Sequence, residues 1–175
     1  MADTFKIIIG ALISIVLQIV VSPNISIFGA QPNIIMVYVV VVSMLRSDNR
    51  SVWLAFIMGL AYDLFCNGHL GLTAALLLIA SFVSSKAFEA FNNDTLLIPM
   101  VVSILTAMFV EIVMAMAYTA LSSDVSLLDA LIQRSVPCAL FDSAMVLIVL
   151  PICMRVFGST TTIHPTPQST NLRLG

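Results

Sequence analysis

The chain has 175 residues, 60% of them hydrophobic and 9% charged, with a formal net charge of −2 and a mean hydropathy of +1.10. Soluble domains carry about 25% charged residues, so that class is excluded. The small net charge argues against a nucleic-acid partner, and the sequence holds no basic cluster of the kind that binds anionic lipid heads.

The apolar residues fall into several long runs, and each membrane-spanning helix needs roughly 20 apolar residues. A transmembrane barrel would instead alternate apolar and polar residues in segments of about ten. The runs are continuous, so the expected fold is an all-α polytopic membrane protein with six transmembrane helices. Span 1 is expected at about Ile7 to Phe28, bent or ended near Pro23. Its apolar part is longer than a signal-peptide core, and no small-x-small cleavage site follows, so it is read as a span. Span 2 is expected at about Asn33 to Leu45 and span 3 at about Val52 to Phe65. Both are short, and a re-entrant hairpin is the alternative. That hairpin would bury "RSDNR", residues 46 to 50, in hydrocarbon, at about +2.5 kcal/mol or more per arginine. The turn is better placed in water, with the arginine stems snorkelling.

Span 4 is expected at about Leu70 to Phe91, span 5 at about Leu96 to Leu121, and span 6 at about Val136 to Phe157. Between spans 5 and 6, "SSDVSLLDALIQRSVP" places Val125, Leu128 and Leu131 or Ile132 at helical spacing. Ser126 and Asp129 have capping-box spacing. The segment reads either as a short surface helix or as the end of span 5. Residues 158–175 are rich in Ser, Thr and Pro and read as a disordered tail. The six spans form one domain, residues 1–157.

Positive charge tends to stay in the cytoplasm. With the N-terminus there, Lys6, Arg46, Arg50, Lys86, Arg155 and Arg173 are cytoplasmic and only Arg134 is outside. Both termini are therefore expected in the cytoplasm. Cys66, Cys138 and Cys153 are few and scattered and read as small apolar residues, with a Cys66–Cys138 disulfide as the alternative.

Helices in lipid associate through small residues that let backbones approach and polar residues that bond across. Every fourth position lines one ridge. Such ridges are Gly10, Ser14, Gln18 and Ser22; Ala55, Gly59 and Asp63; Ser81, Ser85 and Glu89; and Ser103, Ala107, Glu111, Ala115 and Thr119. Three acids, Asp63, Glu111 and Asp142, fall within spans, all toward the outer half. An intramembrane acid is a functional suspect. The competing reading is a carboxyl that bonds between helices. No Ser/His/Asp set, H-x-x-x-H or phosphate-binding glycine loop stands in the sequence. His69 and His164 lack metal-ligand companions nearby. Neither catalysis, a metal nor a cofactor is expected.

Asp63 has a geometric option. It lies near the C-terminal end of span 3, where the helix dipole disfavours an anion. Span 4 begins soon after, and its first N–H groups lack intrahelical partners. The link "NGHLG" can turn tightly at Gly68 and Gly71. Asp63 is expected to accept hydrogen bonds from the start of span 4 and lock the hairpin.

The stretch "QPNIIMVYVVVVSMLRSDNRSVWLAFIMGLAYDLFCNGHLG" resembles the core of the rod shape-determining protein MreD family. Pro32 and Asn33 stand before span 2, and Gly59, Asp63, Leu64, Leu70 and Gly71 follow the family's G-x-x-x-D-L…L-G order. "LQIVVSP", with Gln18 and Pro23, looks like the family's first span, and Glu111 matches an acid in its fifth. The span 6 region around Asp142 matches only loosely. The resemblance implies a non-enzymatic scaffold of the bacterial cell (inner) membrane. It implies binding to the bitopic protein MreC and, through it, the MreB cytoskeleton. It also implies a link to the RodA glycosyltransferase and a class B penicillin-binding protein that build side-wall peptidoglycan. The family's fold is similar to the S component of energy-coupling factor transporters. That supplies the alternative, a substrate-capture subunit with a small ligand in an outer pocket near Asp63, Glu111, Asp142 and Arg134.

Overall fold

The computed structural model describes residues 2–26, 30–46, 49–65, 71–90, 97–121, 128 and 131–157. Six α-helices account for most of them: α1 Ala2–Val20, α2 Ile34–Leu45, α3 Asn49–Phe65, α4 Leu72–Ala90, α5 Leu97–Leu121 and α6 Val136–Phe157. A 3₁₀ turn, Ser22–Ile25, follows α1, and a π-helical turn, Leu131–Ser135, leads into α6. Three segments, Leu72–Ala90, Leu97–Ala117 and Val136–Phe157, are long and apolar enough to cross a membrane. Thr4–Val20 and Ile34–Leu45 are shorter apolar helices.

The arrangement is organised around α2. Its sequence, IIMVYVVVVSML, is dominated by β-branched residues, which are mediocre helix formers in water. Here Ile34 through Met44 are all buried. A helix apolar on every side belongs in a core, and α1, α3, α4, α5 and α6 all pack against it. Away from water, backbone groups must be satisfied within the protein, so the helical bonds outweigh the propensity. At 1.5 Å per residue α2 is about 18 Å long, well short of a hydrocarbon core of roughly 30 Å. A helix this short cannot reach both surfaces by itself, and the backbone groups at its buried start need partners.

The small-residue ridges face these contacts. On α1, Ser14 and Gln18 are buried, as is Ser22 just beyond its end, while Phe5, Leu12 and Val16 on the other side are exposed. Tyr38 Oη of α2 donates to Ile7 O at 2.8 Å, beneath Gly10. Ser43 of α2 and Ser81 of α4 share a hydrogen bond at 2.6 Å. Ser103, Ala107, Glu111 and Ala115 of α5 are all buried. Small and polar side chains thus occupy seams, as lipid-embedded packing requires.

One expectation changes. Glu89 does not join the α4 seam: it is exposed and pairs with Lys86 at 2.7 Å, one turn away on the same helix. The first apolar run stops being α-helical at Val20, close to the break expected at Pro23, which sits in the first turn of the 3₁₀ segment and has no N–H to continue an α-helix. Cys66, Ser126, Asp129 and the tail 158–175 lie outside the described residues.

Candidate functional site

The first four N–H groups of a helix have no partner within it. In α2 three side chains supply acceptors for all four. Asn33 N donates to Asp142 Oδ1 at 2.6 Å. Ile34 N donates to Gln18 Oε1 at 2.7 Å, and Ile35 N shares that oxygen at 3.4 Å. Met36 N donates to Asn33 Oδ1 at 3.0 Å, the usual N-cap bond. The first intrahelical bond, Val37 N to Asn33 O, follows at 3.1 Å. On the acceptor side, Pro32 O receives Ser22 Oγ at 2.8 Å and Gln18 Nε2 at 3.2 Å. Gln18 Nε2 also donates to Ser22 Oγ at 3.1 Å.

Gln18 is thus a two-way bracket. Its carbonyl holds the start of α2 and its amide holds the chain entering it. Asp142 ties the same point to α6. The cluster is dry: Gln18, Ser22, Asn33 and Asp142 are all buried, Asp142 at 0% exposure. Its second oxygen, Oδ2, has no hydrogen-bond partner among the described residues. The buried Glu111 of α5 lies near Asp142. Ser135 of the π-helical turn donates to Glu111 O at 3.1 Å, which ties the entry to α6 back onto α5.

A second polar lock joins α3 to α4. Asp63 Oδ2 accepts from Gly71 N at 2.8 Å and Ala74 N at 3.4 Å. Asp63 is 3% exposed, and it acts as a cap supplied from the preceding helix. The carboxylate also sits at the N-terminal, positive end of the α4 dipole. Gly71 has φ +90, a left-handed conformation that costs other residues roughly 1–2 kcal/mol. One turn before Asp63, Gly59 meets α4 backbone to backbone. A Cβ there would run into Ala74 Cα and lie 2.8 Å from Ala74 N.

The structure therefore brings Gln18, Pro32, Asn33 and Asp142 into one cluster with Glu111 beside it, and Gly59, Asp63 and Gly71 into another. Gly68 lies outside the described residues, as does the side chain of Arg134. Asn33 entered the sequence reading only through the Pro-Asn that precedes span 2; the structure makes it the N-cap of α2. The role of Asp142 was not legible: its partner is 109 residues away, and no local pattern marks a side chain that caps a distant helix. Among the described residues no group of three His, Cys, Asp or Glu side chains could hold a metal. The bonded oxygens of Asp63 and Asp142 both go to main-chain N–H groups. Chemically, the arrangement holds backbone in place.

No curated protein and no solved structure gives a significant match to this chain. The sequence model of the family described as rod shape-determining protein MreD matches residues 2–160. The packing ridges, the clamp on α2 and the Asp63 lock all lie within that match, and the chain belongs to the MreD family of rod shape-determining membrane proteins.

Proposed function

We propose that the protein is a non-enzymatic scaffold of the cell-elongation machinery in the bacterial inner membrane. It binds the bitopic protein MreC and so helps couple the MreB cytoskeleton to side-wall peptidoglycan synthesis by RodA and its class B penicillin-binding protein. The observation that carries this reading is the family match over residues 2–160. The use of buried acids to fix helix ends supports it, since a scaffold needs rigid outer faces.

In this reading residues 1–157 form one six-span domain with both termini in the cytoplasm and 158–175 as a tail. The fold is of the S-component kind. Asp63, Glu111, Gln18 and Asn33 act through the architecture they maintain, and partner binding depends on that architecture.

Affinity purification from gently solubilised membranes tests the proposal. Recovery of an MreC-like bitopic protein is the expected result. Recovery of transporter ATPase subunits, or a vitamin retained through purification, would overturn it in favour of substrate capture.

A further inference from the structure

Helices α1 and α6 meet only sparsely. Between them runs a groove of about 380 Å3, floored by Ile34 and Tyr38 of α2 and walled by residues such as Ile13, Leu17 and Ile152. Lys6 marks one end, where its Nζ donates to Val156 O at 3.0 Å. Arg155, exposed in the last turn of α6, precedes that carbonyl. Arg50 reaches the same end, where Nη1 donates to Thr4 Oγ1 at 2.9 Å. The other end closes at Leu17 and Ile34, beside the clamp on α2.

Folding thus brings three cations that the sequence keeps far apart to one end of the bundle, and Lys6 among them lines the apolar groove itself. An ammonium has three donors, so the bond to Val156 leaves two of those on Lys6 for an anion. The groove runs from Lys6 to Leu17 on α1, about 16 Å at the helical rise. That is close to one leaflet, half of a hydrocarbon core of roughly 30 Å. Spread over this length, 380 Å3 of room for the centres of water-sized spheres gives about 5 Å; the walls stand about 1.4 Å further out on each side, a width of about 8 Å, whereas a helix with its side chains is about 10–12 Å across. The groove admits a hydrocarbon chain but is too narrow for a whole helix.

We propose that the α1–α6 groove seats one acyl chain of an anionic phospholipid, with the phosphate held at Lys6 and Arg155. The lipid completes the contact that the two helices leave open. The site needs only the bilayer and is independent of the partner reading above.

Brominated acyl chains quench tryptophan on contact, which provides the test. Trp53 is the chain's one tryptophan, so Trp53→Phe with Ile152→Trp puts the only reporter in the groove. The protein is placed in phosphatidylcholine nanodiscs containing brominated phosphatidylglycerol or brominated phosphatidylethanolamine. Half-maximal quenching is expected at a phosphatidylglycerol fraction at least threefold lower. Adding Lys6→Gln and Arg155→Gln, both at exposed positions, should bring the two lipids together while circular dichroism stays unchanged. Equal quenching by both lipids before the charges are removed would overturn the proposal. So would a preference that survives their removal. Absence of quenching by either lipid, with a photo-crosslinker at position 152 trapping a discrete protein in cells, would give the groove to a partner helix instead.

Discussion

Asp63 and Asp142 do the same job at two separate helix starts. Each sits on one helix and gives an oxygen to the start of another. Leaving a buried donor unsatisfied costs about 1–3 kcal/mol. Asp63→Ala should therefore lower thermal stability in detergent by that amount, while Asp63→Asn keeps an acceptor and much of the stability. An alanine variant that melts with the wild type would refute the lock. Gly59 offers a sharper contrast. In an ordinary helix, Gly→Ala gains about 0.8–1 kcal/mol of propensity. Here the new methyl meets the main chain of Ala74, and overpacking costs about 1–3 kcal/mol. Gly59→Ala should be net destabilising. Gly10→Ala should cost less, because its methyl meets the end of the Tyr38 side chain, which can shift. Unfolding both variants side by side decides the order. The forward reach of Asp63 was legible in the sequence because donor and acceptor are eight residues apart across one short turn.

At the scale of elements, α2 is the piece that sequence reading understates. Its apolar run reads as a short span, and nothing in it says that five other helices surround it. Local patterns report which face of a helix is apolar. They do not report what covers a helix that is apolar all round. The ridges were more legible, because a spacing of four survives folding as a line of contacts. Glu89 shows the limit of that reading, since spacing alone cannot tell a seam from a surface near a helix end. The clamp on α2 makes a prediction at this scale. Gln18 and Asp142 secure adjacent N–H groups, so losing either lets the first turn of α2 loosen and weakens what the other holds. Gln18→Met and Asp142→Val should each destabilise the fold, and the double variant should lose less than their sum. Coupling of about 0.5–3 kcal/mol is expected for residues that share one structural unit. Strict additivity in a double-mutant cycle would show that the two bonds act separately. The α5 ridge adds a second test. Glu111 is 8% exposed on a line of buried small residues, so Glu111→Gln should support rod shape in a depleted strain. Glu111→Lys, which forces an ammonium into that seam, should not.

At the scale of the whole molecule, most of the basic side chains gather at one end. The Lys6–Val156 and Arg50–Thr4 bonds bring the start of α1, the start of α3 and the end of α6 together. Lys86 follows, because the Asp63–Gly71 lock fixes the other end of the α3–α4 hairpin. The buried acids Asp63 and Asp142 lie at the opposite end, with the links into α2, α4 and α6. If positive charge faces the cytoplasm, α5 must carry the chain outward. It has 25 residues, about 37 Å at the helical rise, enough to cross roughly 30 Å of hydrocarbon. Ala90 ends α4 at the cationic end, and Leu128, 70% exposed, precedes α6. Both offer single-cysteine sites once Cys66, Cys138 and Cys153 are replaced. A membrane-impermeant maleimide should label Leu128→Cys in spheroplasts and reach Ala90→Cys only in inverted vesicles. The opposite pattern would reverse the orientation. Labelling of both from one side would mean that α5 does not cross, and the six-span arrangement would fall with it.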